Sequence, residues 1–162
     1  MITGVIKNQA RGGTLVVTLP CSLYDLRDHL ASIGIIAEAA KLPETIKVQL
    51  AAEEPVGALV LSKLEQGDTL TGLNVACQEI RRNCPYGYDE FMDMLAPPKD
   101  TGQDRFQYYQ QYIPGPPSTS TGVKYLIEEA ERYRMTMENY TRACKAAEDE
   151  EYEMPEDEDW ER

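Results

Sequence analysis

The sequence predicts a small α+β domain, followed by a linker and one long C-terminal helix. Three observations give that class. Two β-branched runs near the N-terminus flank a glycine turn, and stretches of helical period surround one further strand up to residue 95. Residues 122–151 then hold no proline and are rich in Ala, Glu, Arg and Met. At 162 residues the chain fits one ordinary domain, or a domain of about 95 residues with an appended helix.

The elements follow in order. Ile2-Thr3-Gly4-Val5-Ile6 and Thr14-Leu15-Val16-Val17-Thr18-Leu19 read as a hairpin, with Ala10-Arg11-Gly12-Gly13 as its turn. Pro20 ends the second strand. Ser22 opens a helix with Asp25 three residues on, a carboxylate variant of the capping box. Leu23, Leu26, Leu30 and Ile33 share its inner face, and Gly34 closes it. A third strand is expected at Thr45–Leu50, where Ile46, Val48 and Leu50 alternate with polar residues. Glu53-Glu54-Pro55 starts a short helix through Val56, Leu59, Val60 and Leu64. Asp68 or Thr69 caps the next helix, whose inner face carries Leu70, Leu73, Ala76, Cys77 and Ile80. A last short helix holds Phe91, Met92 and Leu95.

Residues 96–121 read as a Pro- and Tyr-rich linker bounded by Pro97-Pro98 and Pro114-Gly115-Pro116-Pro117. Inside it, Phe106, Tyr108, Tyr109, Tyr112 and Ile113 are too aromatic for an inert spacer. The tyrosines either pack the long helix onto the domain or form a contact surface. Residues 122–151 form the long helix, with Val123, Ile127, Ala130, Met137, Tyr140 and Cys144 on or near one stripe. Pro155 is expected to break it, leaving 152–162 as a disordered acidic tail.

Charge is the chain's most informative property. The net charge is −12, of which residues 148–162 contribute −9, residues 1–95 −4 and residues 96–147 +1. Such a balance argues against direct binding to nucleic acid or to an anionic membrane, since phosphate neutralisation needs a basic stripe. No run approaches the roughly 20 apolar residues of a membrane span, and no secretory layout precedes the first strand, which predicts a cytosolic protein. Four cysteines, at 21, 77, 84 and 144, form no CxxC pair, so neither a metal site nor a cofactor is expected. His29 is the only imidazole, and no GxSxG, HExxH, P-loop or dinucleotide fingerprint occurs. The sequence predicts no catalytic residue and no enzyme.

The candidate partner-binding residues are therefore acids and aromatics. Asp89, Glu90 and Asp93 recur at helical spacing and read as an anionic strip or a solvated face. The tail supplies Glu148, Asp149, Glu150, Glu151, Glu153, Glu156, Asp157, Glu158 and Asp159, with Tyr152 and Trp160 interleaved. Rings beside acids add apolar contact area, which favours binding over mere solvation. Tyr108, Tyr109 and Tyr112 complete the set.

Three stretches carry a resemblance to a known family: TLVVTLPCSLYDLRDHLASIGI, then LVLSKLEQGDTLTGLN followed by ACQEIRRN, then YDEFMDML. With Leu70, Leu73 and Asn74 in a Leu-x-x-Leu-Asn start, residues 2–95 resemble the ArdA-type antirestriction proteins of conjugative elements and phages. The resemblance implies a DNA mimic that occupies the DNA-recognition cleft of a type I restriction–modification enzyme. An inhibitor of a Cas effector is the sibling expectation, since its DNA channel is also basic. A homodimer fits either. The alternative is a structural or adaptor protein of a phage or conjugative element, with a solubilising tail.

Overall fold

The computed structural model describes residues 1–8, 12–36, 47–99, 102 and 104–159, with side chains for all of these except 47 and 151–159. Strands β1 (Ile2–Lys7), β2 (Thr14–Leu19) and β3 (Lys47–Ala52) form an antiparallel sheet in the order β2-β1-β3. Residues Asn8 and Gly13 close the hairpin, with Asn8 N donating to Gly13 O at 2.9 Å. Ala10 and Arg11 of the expected turn lie outside the described residues, as do Thr45 and Ile46 of the expected third strand. Alternation makes the sheet one-sided: Ile2, Ile6, Val17 and Leu19 are buried, whereas Val5 and Val16 face solvent.

Helices cover the inner face. Helix α1 (Leu23–Ser32) begins at Ser22, whose hydroxyl accepts from Asp25 N at 3.1 Å, and buries Leu26 and Leu30. Helix α2 (Pro55–Ser62) places proline in its first turn, where a missing N–H costs nothing. Helix α3 (Leu70–Asn83) is capped by Thr69, which accepts from Gly72 N at 2.9 Å. Helix α4 (Asp89–Leu95) buries Phe91.

The described part of residues 96–121 is more than a loose linker. Arg105–Tyr112 forms a 3₁₀ segment started by Asp104, which accepts from Phe106 N at 3.0 Å, and Phe106 is fully buried. Burying a side chain of that size contributes roughly 1.5–3 kcal/mol, enough to hold so short an element against α4 and α5.

Helix α5 runs Gly122–Asp159. Asp68, the residue before the Thr69 cap of α3, caps it, its carboxylate accepting from Val123 N at 3.3 Å. Gly122 has φ +63, and a Cβ there would stand 2.6 Å from Asp68 Oδ2, so this start requires glycine. The buried stripe is Val123, Leu126, Ala130 and Tyr133, with Met137 packed against it. The expected stripe was thus offset: Ile127 is only half-buried and Cys144 is exposed. The expected stop at Pro155 is not taken, and the backbone stays helical to Asp159. Proline's fixed φ suits a helix, and what it forfeits is one backbone hydrogen bond. Trp160 lies outside the described residues. Among the described residues, no helix is long and apolar enough to cross a membrane.

Candidate interaction surface

The α4 carboxylates do not form one free anionic strip. Glu90 turns toward α5 and accepts from the Tyr133 hydroxyl at 3.2 Å. Asp93 accepts from Arg105 N at 2.9 Å, tying the 3₁₀ segment to α4. Only Asp89 remains exposed, at 73%, with the Arg105 guanidinium 3.4 Å away. Burial, then the Glu90 charge, pushes the Tyr133 hydroxyl above its usual range, so it stays a donor. Two of the three candidate acids are therefore internal fasteners.

The tyrosines divide in the same way. Tyr109 meets Phe106 at 5.8 Å and Tyr140 at 4.8 Å, and Tyr112 meets Tyr140 at 5.4 Å in an edge-on pair. With Phe91 and Tyr133 at 5.6 Å they make a continuous aromatic seam between α4, the 3₁₀ segment and α5. Tyr108 alone is left outward, 70% exposed.

In the second half of α5, Asn139, whose Nδ2 donates to Tyr112 O at 3.0 Å, and Tyr140 hold the helix to the body. From Cys144 to Glu150 every residue is exposed, so Glu148, Asp149 and Glu150 stand on a helix free of the domain. The side chains of Glu151, Tyr152, Glu153, Glu156, Asp157, Glu158 and Asp159 lie outside the described set, and their backbone continues that helix.

One feature escaped the sequence reading. A groove of about 620 Å³ opens between α5 and the end of α3. Its cations are Arg82, Arg134, Arg142 and Lys145, against the carboxylates Glu90 and Glu138. Arg82 pairs with Glu79 at 2.6 Å and Arg134 with Glu138 at 2.7 Å. Arg142 and Lys145 form no ion pair among the described residues. Tyr86, 99% exposed, stands on the rim. Four cations separated by up to 63 positions leave no cluster in the sequence, and only the packing of α3 on α5 assembles them.

The thiols are separate and unpaired. Burial pushes both Cys77 and Cys84 up to about 12, and raises Cys21 less far. Cys144 is exposed. At pH 8, iodoacetamide should modify Cys144 first, with Cys77 and Cys84 at least ~100-fold slower until urea is added, because the thiolate is the nucleophile. Peptide mapping of the labelled protein checks this, and comparable early labelling of Cys77 would refute the packing of α3. Among the described residues, no three His, Cys, Asp or Glu side chains come together as a metal site. Searches against protein-family models, curated proteins and solved structures returned no match to this chain.

Proposed function

We propose that this chain is a non-enzymatic inhibitor from a mobile element or phage, acting in the cytosol. It enters the basic DNA-binding cleft of a host-defence enzyme with its acidic C-terminal helix. The observation that carries the reading is the linear charge density of that helix. Positions 148–159 hold nine carboxylates. At 1.5 Å per residue this is roughly one charge per 2 Å, close to the one per ~1.7 Å of duplex DNA. Because Glu90 and Asp93 of α4 are engaged internally and only Asp89 stays exposed, the tail is the main anionic element left to a partner. The resemblance of residues 2–95 to ArdA-type proteins points to a restriction–modification subunit as the first target, with a Cas effector as the second.

The test is a DNA-cleavage assay with a type I restriction enzyme and with a Cas effector, using full-length protein and the 1–147 truncation. Full-length protein should inhibit one of them, and truncation should raise the half-inhibitory concentration at least ~10-fold. The inhibition should also weaken as salt rises, since screening acts over ~10 Å at 0.1 M. No inhibition at large molar excess removes the proposal, and inhibition unaffected by truncation moves the site off the tail. A second reading, an assembly or adaptor protein, is favoured by the length of α5 that leaves the body unpartnered. Recovery of only phage or plasmid structural proteins from host lysate, equally by both forms, would select it.

A further inference from the structure

The groove and the tail lie on the same helix and carry opposite charge. Arg134, Glu138, Thr141 and Lys145 line the groove at a spacing of four, three and four, so they form one stripe of α5. The same rhythm continues through positions 148, 152, 155 and 159, which are Glu148, Tyr152, Pro155 and Asp159. The first half of this stripe carries two cations and one carboxylate, the second two carboxylates and no cation, with the change between Lys145 and Glu148. A helix cannot fold back on itself, so a chain's own tail cannot reach its own groove.

We propose that the groove receives the acidic tail of a second copy of this chain, giving an antiparallel dimer of α5 helices about a twofold axis near residues 146–147. An interface of this kind is isologous and needs a stripe complementary to its own reverse. This stripe meets that requirement. Turning it end for end sets Lys145 against Glu148, Thr141 against Tyr152 and Arg134 against Asp159, and on the flank Arg142 against Glu151. The two half-stripes span the same number of residues, about 17 Å each at 1.5 Å per residue. The axis falls where α5 is clear of the domain, so the two bodies stay apart. The two groove cations nearest the axis, Arg142 and Lys145, are also those that form no ion pair among the described residues. This dimer is independent of the proposed inhibition, although the two compete for one tail.

Two full-length charge variants test it. R142E/K145E turns two groove cations into carboxylates, and E148K/E151K turns the two opposing tail carboxylates into cations. Arg142, Lys145 and Glu148 are exposed, and all four positions lie in the second half of α5, so both proteins should keep the wild-type circular dichroism spectrum. By sedimentation equilibrium the wild type should dimerise, with a dissociation constant that rises with salt. Each variant alone should dimerise at least ~10-fold more weakly, because by symmetry every change acts twice and like charges then face one another. Mixing the two should restore dimer, since the new carboxylates at 142 and 145 of one meet the new lysines at 151 and 148 of the other. A wild type that stays monomeric at every accessible concentration overturns the proposal, and so does failure of the mixture to reassociate. R142E/K145E retains the whole acidic tail. It should therefore inhibit the target enzyme at least as well as wild type, so failure of the dimer and failure of the inhibitor reading are told apart.

Discussion

Replacing Glu129 by Ala is expected to cost about 3–5 kcal/mol of folding free energy, the range for removing one partner of a buried ion pair. Glu129 is 2% exposed, and its Oε2 lies 3.0 Å from Nη1 of Arg132, itself 15% exposed. Its other oxygen accepts from Ser118 N at 2.8 Å, and Arg132 Nη2 donates to Gly115 O at 3.3 Å. The pair therefore pins the Pro-rich segment 113–120 to the first half of α5. Ala at 129 leaves a guanidinium without a counter-charge and the Ser118 N–H without an acceptor. Glu129→Gln keeps an acceptor for Ser118 and should lose less. The double replacement Glu129→Leu with Arg132→Leu should recover part of the loss, because both desolvated charges leave together. Urea unfolding of the three variants reads these values, and a Glu129→Ala cost under about 1 kcal/mol would mean that the pair is solvated.

That pair also shows where sequence reading ends. Glu129 and Arg132 stand three apart on a helix, a pattern that ordinarily marks a solvated face. Only the return of residues 113–120 over α5 buries them. The elements before residue 95 were legible because each announces itself locally. Pro20, Ser22, Pro55 and Thr69 mark their ends, and period 2 or 3.6 marks their faces. The 3₁₀ segment has no such period. Its order comes from Phe106 in the core, Asp93 accepting from Arg105 N, and Tyr109 and Tyr112 on Tyr140, all of them tertiary. Proline and glycine on both sides made it read as linker. The stripe of α5 was misplaced for a related reason, since Leu126 and Tyr133 sit among charges that hide their periodicity.

Charge was legible as an amount but not as a placement. The acid run could be counted from residue 148 onward. That Glu90 and Asp93 are occupied within the fold, and that Arg82, Arg134, Arg142 and Lys145 converge on one groove, follows from how α3, α4 and α5 cross. On the two proposals above, the tail of one copy is held by the groove of a second or presented to another basic surface.

Replacing Asn74 by Ala should cost about 2–4 kcal/mol, from two lost hydrogen bonds and one N–H left without a partner. Asn74 is fully buried in the second turn of α3. Its Oδ1 accepts from Cys21 N and its Nδ2 donates to Cys21 O, both at 2.9 Å, while Gln78 Nε2 donates to the same carbonyl at 2.6 Å. The side chain thus holds the turn between β2 and α1 onto α3, joining the sheet to the helical layer. Asn74→Asp separates the two bonds. A carboxylate still accepts from Cys21 N, but it sets a second lone pair against Cys21 O. Burial and that carbonyl raise the folded pKa of the new acid above the ordinary carboxylate value near 3.9. The folded variant then binds a proton at a higher pH than the unfolded chain does. Its deficit relative to wild type should accordingly narrow as pH falls from 7 toward that raised pKa, because protonated Asp can donate to Cys21 O again. Unfolding curves of wild type and N74D at pH 7 and pH 5 make the comparison. A gap that stays constant across that interval would mean that Asn74 fills space in α3 and does not clamp Cys21.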